Sequence, residues 1–229
     1  MKTLGLIGGL SWFSTTVYYR NINQMISQQL GGSHSARLLL YSVDFNDFRV
    51  MQDAGDWAKL GIMMSDIAKS LETAGADCIL MCTNTPHLIA DTVRGNINIP
   101  LLHIAEETAK EIVAQKCGTV GLIGTRFTME NSFFRDKLST FGINVVTPEA
   151  EDRDFVHSSI FNELTKGIFR DDTKAKCLEI IQKLKKAGAQ GVVFGCTEIS
   201  LLIRPEDCDI PVFDTTIIHS TAAVKFALG

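Results

Sequence analysis

The chain carries the same marks twice, in the same order. GLIGG at 5–9 is matched by GLIGT at 121–125, and GADCILMCTNT at 75–85 by GAQGVVFGCTE at 188–198. IPLLH at 99–103 is matched by IPVFD at 210–214. The offsets are 116, 113 and 111 (121 − 5, 188 − 75, 210 − 99). Around these marks short apolar runs alternate with longer amphipathic ones. TLGLIGG (3–9), RLLLYSVDF (37–45), CILMCT (78–83), PLLHI (100–104), TVGLIGT (119–125), INVVTPE (143–149), GVVFGCT (191–197) and PVFDTT (211–216) read as strands. Segments 57–75 and 175–188 space apolar residues by three and four and stop at glycine, as helices do. Continuous apolar strands alternating with helices predict parallel sheets covered by helices. The expected fold class is therefore α/β, with two pseudo-symmetric lobes, each a mostly parallel sheet flanked by helices. The Ile-Pro pairs set the expected lobes at 1–100 plus 212–229 and at 101–211. Ligands bind at the carboxyl ends of such strands, so the active site is expected in a cleft between the lobes.

Composition narrows the function. A net charge of −4 disfavours a nucleic-acid surface. No apolar run reaches the roughly 18 residues of a membrane span. The start, MKTLGLIGGLSWF, lacks the parts of a signal peptide and reads as a first strand. Six scattered cysteines (78, 82, 117, 177, 196, 208) show no disulfide framework and no C-x-x-C. They point to reduced thiols and a cytoplasmic location. The five histidines have no ligand spacing, so no metal site is expected.

The chemistry gathers at strand ends. Under the 113 offset Cys196 pairs with Thr83, and Cys82 pairs with Gly195. Side chains alternate along a strand, so Cys196 and Thr83 face the same cleft from opposite lobes while Cys82 points into the packing. Pro86 suits a first helical turn, Thr85 reads as its N-cap, and Thr197 reads as the cap of a second short helix. A helix start lowers a nearby cysteine pKa; a close Glu198 carboxylate would oppose it. Two groups flanking a small carboxylate ligand suit proton transfer at carbon. Hydroxyls and amides at Ser11, Ser14, Thr15, Asn84, Thr85, Thr125, Thr128, Thr197 and Glu198 could hold the developing charge. Gly8 and Gly9 would let the backbone approach ligand. GLIGG is not a dinucleotide fingerprint.

GGLSW (8–12), CTNTPH (82–87), GTRFTM (124–129) and FGCTEI (194–199) resemble the aspartate/glutamate racemase family, and the likeness covers nearly the whole chain. That resemblance implies two pseudo-symmetric α/β lobes, an amino-acid substrate, no pyridoxal phosphate or other cofactor, and a homodimer. It implies two catalytic cysteines, of which the second falls on Cys196 and the first on Thr83. It also puts basic residues for the substrate carboxylate on Arg49 and Lys166. By resemblance the second-half cysteine serves the L-enantiomer.

The departure at Thr83 matters most. A hydroxyl is a far weaker acid than a thiol of pKa about 8.5, so a symmetric two-thiol mechanism is unavailable. The expectation is a one-sided isomerase for aspartate or glutamate, with Cys196 abstracting the α-proton opposite Thr83. Related sequences often carry an acid at Phe13 and a lysine at Leu88; losing both would favour a less polar substrate. His87, near the cleft, could assist proton transfer or cap and pack. A single-cysteine decarboxylase or isomerase of the same superfamily is one alternative. A non-catalytic amino-acid-binding protein is the other.

Overall fold

The computed structural model describes residues 1–229. In chain order the elements are β1 (Leu4–Gly8), α1 (Trp12–Leu30), β2 (Leu38–Ser42), α2 (Phe45–Asp53), α3 (Trp57–Thr73), β3 (Cys78–Met81), α4 (Ala90–Arg94) and α5 (Ile104–Ala114). There follow β4 (Thr119–Ile123), α6 (Arg126–Glu130), α7 (Ser132–Ser139), β5 (Asn144–Val146), α8 (Ala150–Asn162), α9 (Asp171–Lys186), β6 (Gly191–Phe194), α10 (Ile199–Leu202), β7 (Val212–Asp214) and α11 (Thr215–Leu228). No helix is long and apolar enough to cross a membrane.

Two compact units divide the chain: Met1–Ile104 with His219–Gly229, and Ala105–Ile218. Both are parallel sheets flanked by helices, as the continuous apolar strands predict. The first has strand order β2-β1-β3 and the second β5-β4-β6-β7. The sequence repeat is thus a repeat of topology. β1 corresponds to β4 and β3 to β6.

Two expectations need correction. PLLHI (100–104) forms no strand; it contributes one bridge, Ile79 to Leu101. Pro100 offers no N–H to a ladder, and helix α5 has already begun at Ile104. The expected lobe boundary at 211/212 moves to 218/219, because β7 is hydrogen-bonded to β6 in register Val193 to Phe213. Its residues therefore belong to the second unit, and the chain returns to the first unit only within α11.

Pleating sorts the first unit's core. Leu4, Leu6, Cys78, Leu80 and Cys82 pack with Tyr18 and Ile22 of α1 and with Val224 and Ala227 of α11. Ile7, Ile79 and Met81 pack on the opposite face with Leu60, Met64 and Ala68 of α3. In the second unit Ile123, Val192 and Phe194 pack with Ile180 and Leu184 of α9 and Ile160 of α8. Helix α9 also suits its own dipole, with Asp171 and Asp172 in the first turn and Lys183, Lys185 and Lys186 in the last.

Gly8, the last residue of β1, and Gly9 after it are required by packing. Gly9 has φ +79°, and a Cβ there would lie 2.1 Å from the Val43 carbonyl oxygen. A Cβ on Gly8 would lie 2.5 Å from Thr15 Cγ2. Gly9→Ala combines a left-handed backbone with a clash against main chain. It should cost at least about 3 kcal/mol in urea unfolding; a loss below about 1 kcal/mol would contradict this turn geometry.

Candidate active site

Strand β6 ends at Phe194, and Cys196 lies two residues beyond it. It is half-buried and packs against the face that carries Val192 and Phe194. Its thiol donates to Glu198 Oε2 at 2.9 Å, and the Thr197 hydroxyl donates to the same oxygen at 2.8 Å. Thr197 and Glu198 are buried. Burial first, and then the Glu198 charge and hydrogen bond, hold the Cys196 thiol well above its ordinary value. The expected lowering by a helix start is therefore overturned. Glu198 occupies the N-cap position of α10, no side chain caps that helix, and the Thr197 hydroxyl donates to Glu198. At rest the proton sits on sulfur, hydrogen-bonded to the Glu198 carboxylate.

A side chain one place earlier would be crowded. A Cβ on Gly195 would lie 2.9 Å from Thr128 Cγ2 and 3.1 Å from Leu122 Cδ1. Thr128 is buried, its N–H donates to Thr125 Oγ1 at 3.3 Å, and the two hydroxyls are 3.2 Å apart. Thr125 is the half-buried N-cap of α6. This pair braces the turn from beneath.

The first unit repeats the burial pattern with different chemistry. Cys82 is fully buried and Thr83 is half-buried, matching Gly195 and Cys196. The Cys82 thiol is pushed up by burial alone, as a packed core residue should be. After β3 the chain enters a 3₁₀ turn, Thr85–Ile89, with Pro86 near its start. Thr85 lies inside this turn rather than capping it; Asn84 holds the cap position without a side-chain cap bond.

Family comparison fits this arrangement. The model of the Asp/Glu/hydantoin racemases matches residues 7–223. The chain belongs to that family. It is 48% identical to a candidate Asp/Glu racemase from Yersinia pestis, each chain covered completely, with TM-score 0.96. It is 33% identical to PH1733, an aspartate racemase homologue from Pyrococcus horikoshii OT3, again over both whole chains, with TM-score 0.89. It is 23% identical to the broad specificity amino-acid racemase RacX of Bacillus subtilis (strain 168), over 99% of this chain and 98% of RacX.

The remaining candidates of this racemase-family chain fall into two groups. Ser11 is half-buried at φ 135° and caps α1, its Oγ accepting from the Ser14 N–H at 3.4 Å. Such a backbone costs about 1–3 kcal/mol and persists only where surroundings enforce it. Thr15 does part of this: its hydroxyl donates to the Ser11 carbonyl at 3.1 Å and accepts from the Gly9 N–H at 2.9 Å. Asn84 is buried beside Thr83. Arg49 and Lys166 form the second group, both exposed. Arg49 lies on α2 with its side chain 59% exposed, 3.6 Å from Asp53. Lys166 ends a 3₁₀ turn, followed by the left-handed Gly167.

A buried histidine cluster under the Thr83 turn went largely unread in the sequence. His87 lies 4.8 Å from His103 and 5.5 Å from His219, ring centre to ring centre, and all three are at most 3% exposed. His219 Nε2 meets the Leu102 carbonyl at 3.0 Å and its Nδ1 meets the Tyr18 hydroxyl at 2.8 Å. A carbonyl only accepts, so Nε2 carries the proton and Nδ1 accepts from tyrosine. His87 has the other tautomer: its Nδ1–H reaches the carbonyls of Thr83 at 2.9 Å and Asn84 at 3.3 Å. Its Nε2 is buried without a partner, a cost of about 1–3 kcal/mol. The sequence did hold a signal. His103 aligns with Asp214, which accepts from the N–H groups of Thr216 and Ile217 at 2.9 and 3.2 Å. Both halves thus put a buried or half-buried polar residue at one repeat position.

Two predictions follow from these environments. Burial depresses the His87 pKa, aided by His103 and His219, and burial holds His219 at about 4. The unfolded chain binds these protons near pH 6.5 and the folded chain does not, so stability is full above pH 6.5 and falls as pH falls towards 4. His219 alone should remove about 3 kcal/mol over that window in urea titrations. A His219→Gln variant should flatten the slope, and an unchanged slope would contradict the assignment. Second, Glu198→Gln removes the charge that holds the Cys196 proton. Iodoacetamide labelling of Cys196 at pH 8, read by peptide mass, should accelerate about tenfold; equal or slower labelling would contradict the 2.9 Å pair.

Proposed function

We propose that this chain is a cofactor-independent racemase acting at the α-carbon of an acidic amino acid, aspartate or glutamate. The observation that carries the reading is the Cys196 thiol bonded to the Glu198 carboxylate at a strand end. Glu198 receives the thiol proton, and the Cys196 thiolate takes the α-proton of the L-enantiomer. The electron pair left on the α-carbon spreads into the substrate carboxylate. Thr83, at the matching strand end of the first unit, serves the opposite face of that carbon. Family membership supports carbon-acid chemistry, and the whole-length likeness to the aspartate racemase homologue PH1733 supports an acidic substrate. Ser11, Asn84, Thr85, Thr125, Thr128 and Thr197 line or brace the strand ends that receive the ligand, Gly9 shapes the first turn, and Arg49 and Lys166 supply positive charge for its carboxylates.

Thr83 makes the enzyme one-sided. A threonine hydroxyl is a poor proton donor and a poorer base than a thiolate, so the carbanion returns mostly to Cys196. A single-thiol decarboxylase of a malonate derivative is the second reading, favoured by the same lone cysteine; carbon dioxide release from such a substrate would mark it.

In deuterated water, L-aspartate or L-glutamate should lose its α-proton NMR signal, and Cys196→Ala should slow that loss about 10²–10⁴-fold. The D-enantiomers should exchange at least about tenfold more slowly, and Thr83→Cys should raise their rate. Exchange that persists in Cys196→Ala, or a folded Thr83→Cys variant with no gain on D-substrate, would contradict the assignment.

A further inference from the structure

Thr83 lies where the sheet no longer holds the chain. The Cys82 N–H still donates to the Ile7 carbonyl at 2.9 Å, and no strand continues past Met81. What then grips the Thr83 carbonyl is the His87 imidazole, four residues on. The grip is doubled, because the Asn84 carbonyl accepts both from the His87 backbone N–H at 3.1 Å and from the ring at 3.3 Å. His103 and His219 close on the ring from the side. Helix α3 also packs on this turn, and its buried residues (Leu60, Gly61, Met64, Ser65, Ile67, Ala68, Leu71) bring no charge to it.

We propose that His87 is a positioning residue for Thr83: its Nδ1–H, held on the Thr83 carbonyl by the two histidines packed against it, fixes the peptide that aims the Thr83 side chain. The inference rests on the reading of Thr83 as the group serving the second face of the substrate. Three observations carry it. The ring keeps one nitrogen buried without a partner, which a purely packing residue such as leucine would avoid. The residue gripped is the half-buried one whose partner position holds Cys196. The grip has no equivalent in the second unit. Position 87 + 113 is Ser200, and the Cys196 carbonyl accepts from the Ile199 backbone N–H at 3.2 Å. Loss of the histidine should therefore be felt on one side of the reaction only.

The test uses His87→Leu, which fills similar space without a donor, and His87→Asn, whose amide can stand where Nδ1–H stood. In hydrogen exchange, the amides of Thr83–Thr85 should open about tenfold faster in His87→Leu, with those of Cys196–Glu198 unchanged and His87→Asn near the parent. In a Thr83→Cys background, α-proton exchange of D-aspartate or D-glutamate should fall about tenfold with His87→Leu and recover with His87→Asn, while the L-enantiomer changes by less than about threefold. If His87→Leu does not fold, His87→Gln replaces it, since its amide lies at the Nε2 position. Unchanged amide exchange at Thr83–Thr85 overturns the proposal, whether or not any substrate turns over. An equal fall for both enantiomers overturns it too and leaves a structural role. If no acidic amino acid exchanges even with the parent protein, the functional reading fails by itself, and the amide exchange still decides the clamp.

Discussion

The pleat of a parallel strand decides this molecule's chemistry. Along β3, residues 78 and 80 face one layer of helices and residues 79 and 81 the other. Cys82 keeps the first register and is sealed among Tyr18, Leu80 and Val224. Thr83 keeps the second and stays half-buried. In β6 the same register leads from Val192 and Phe194 to Cys196. A shift of one residue would bury the only thiol that stands at a strand end beside a carboxylate. Crowding of a side chain at Gly195 by Thr128 and Leu122 opposes that shift.

The two strand ends then diverge in electrostatics. Cys196 carries its proton at rest, since burial and Glu198 both penalise the thiolate. On the proposed reading Glu198, 2.9 Å from the sulfur, is also the group that takes its proton when substrate is bound. The Thr83 end has no group of comparable acidity. It has instead a buried imidazole cluster, in which His87 holds the Thr83 and Asn84 carbonyls. On the proposed reading one end does the proton transfer and the other mainly holds its shape.

Much of this was legible in the chain. The repeat at offsets of 111 to 116 marked the corresponding strands, because β1 and β4, and β3 and β6, hold like places in their two sheets. The pairing of Cys196 with Thr83 followed from counting. Less legible were features that depend on three-dimensional closeness. PLLHI has strand composition, yet Pro100 and the early start of α5 leave it one bridge. Thr85 and Thr197 have cap-like composition, but Thr85 falls inside its 3₁₀ turn and Glu198, not Thr197, holds the N-cap position of α10. Nor did the sequence show that the missing side chains of Gly8 and Gly9 admit Thr15 and Val43. His103 and His219 stand 116 residues apart and share a ring partner only after folding.

The most direct measurement follows where solvent deuterium goes. L-aspartate or L-glutamate is incubated in deuterated water and stopped early, and both enantiomers are separated and weighed by mass spectrometry. The predicted result is deuterium accumulating in the recovered L-enantiomer faster than any D-enantiomer forms, because the carbanion returns to Cys196. The contradicting result is an unlabelled L-enantiomer with all deuterium in newly formed D, the mark of two equally competent bases.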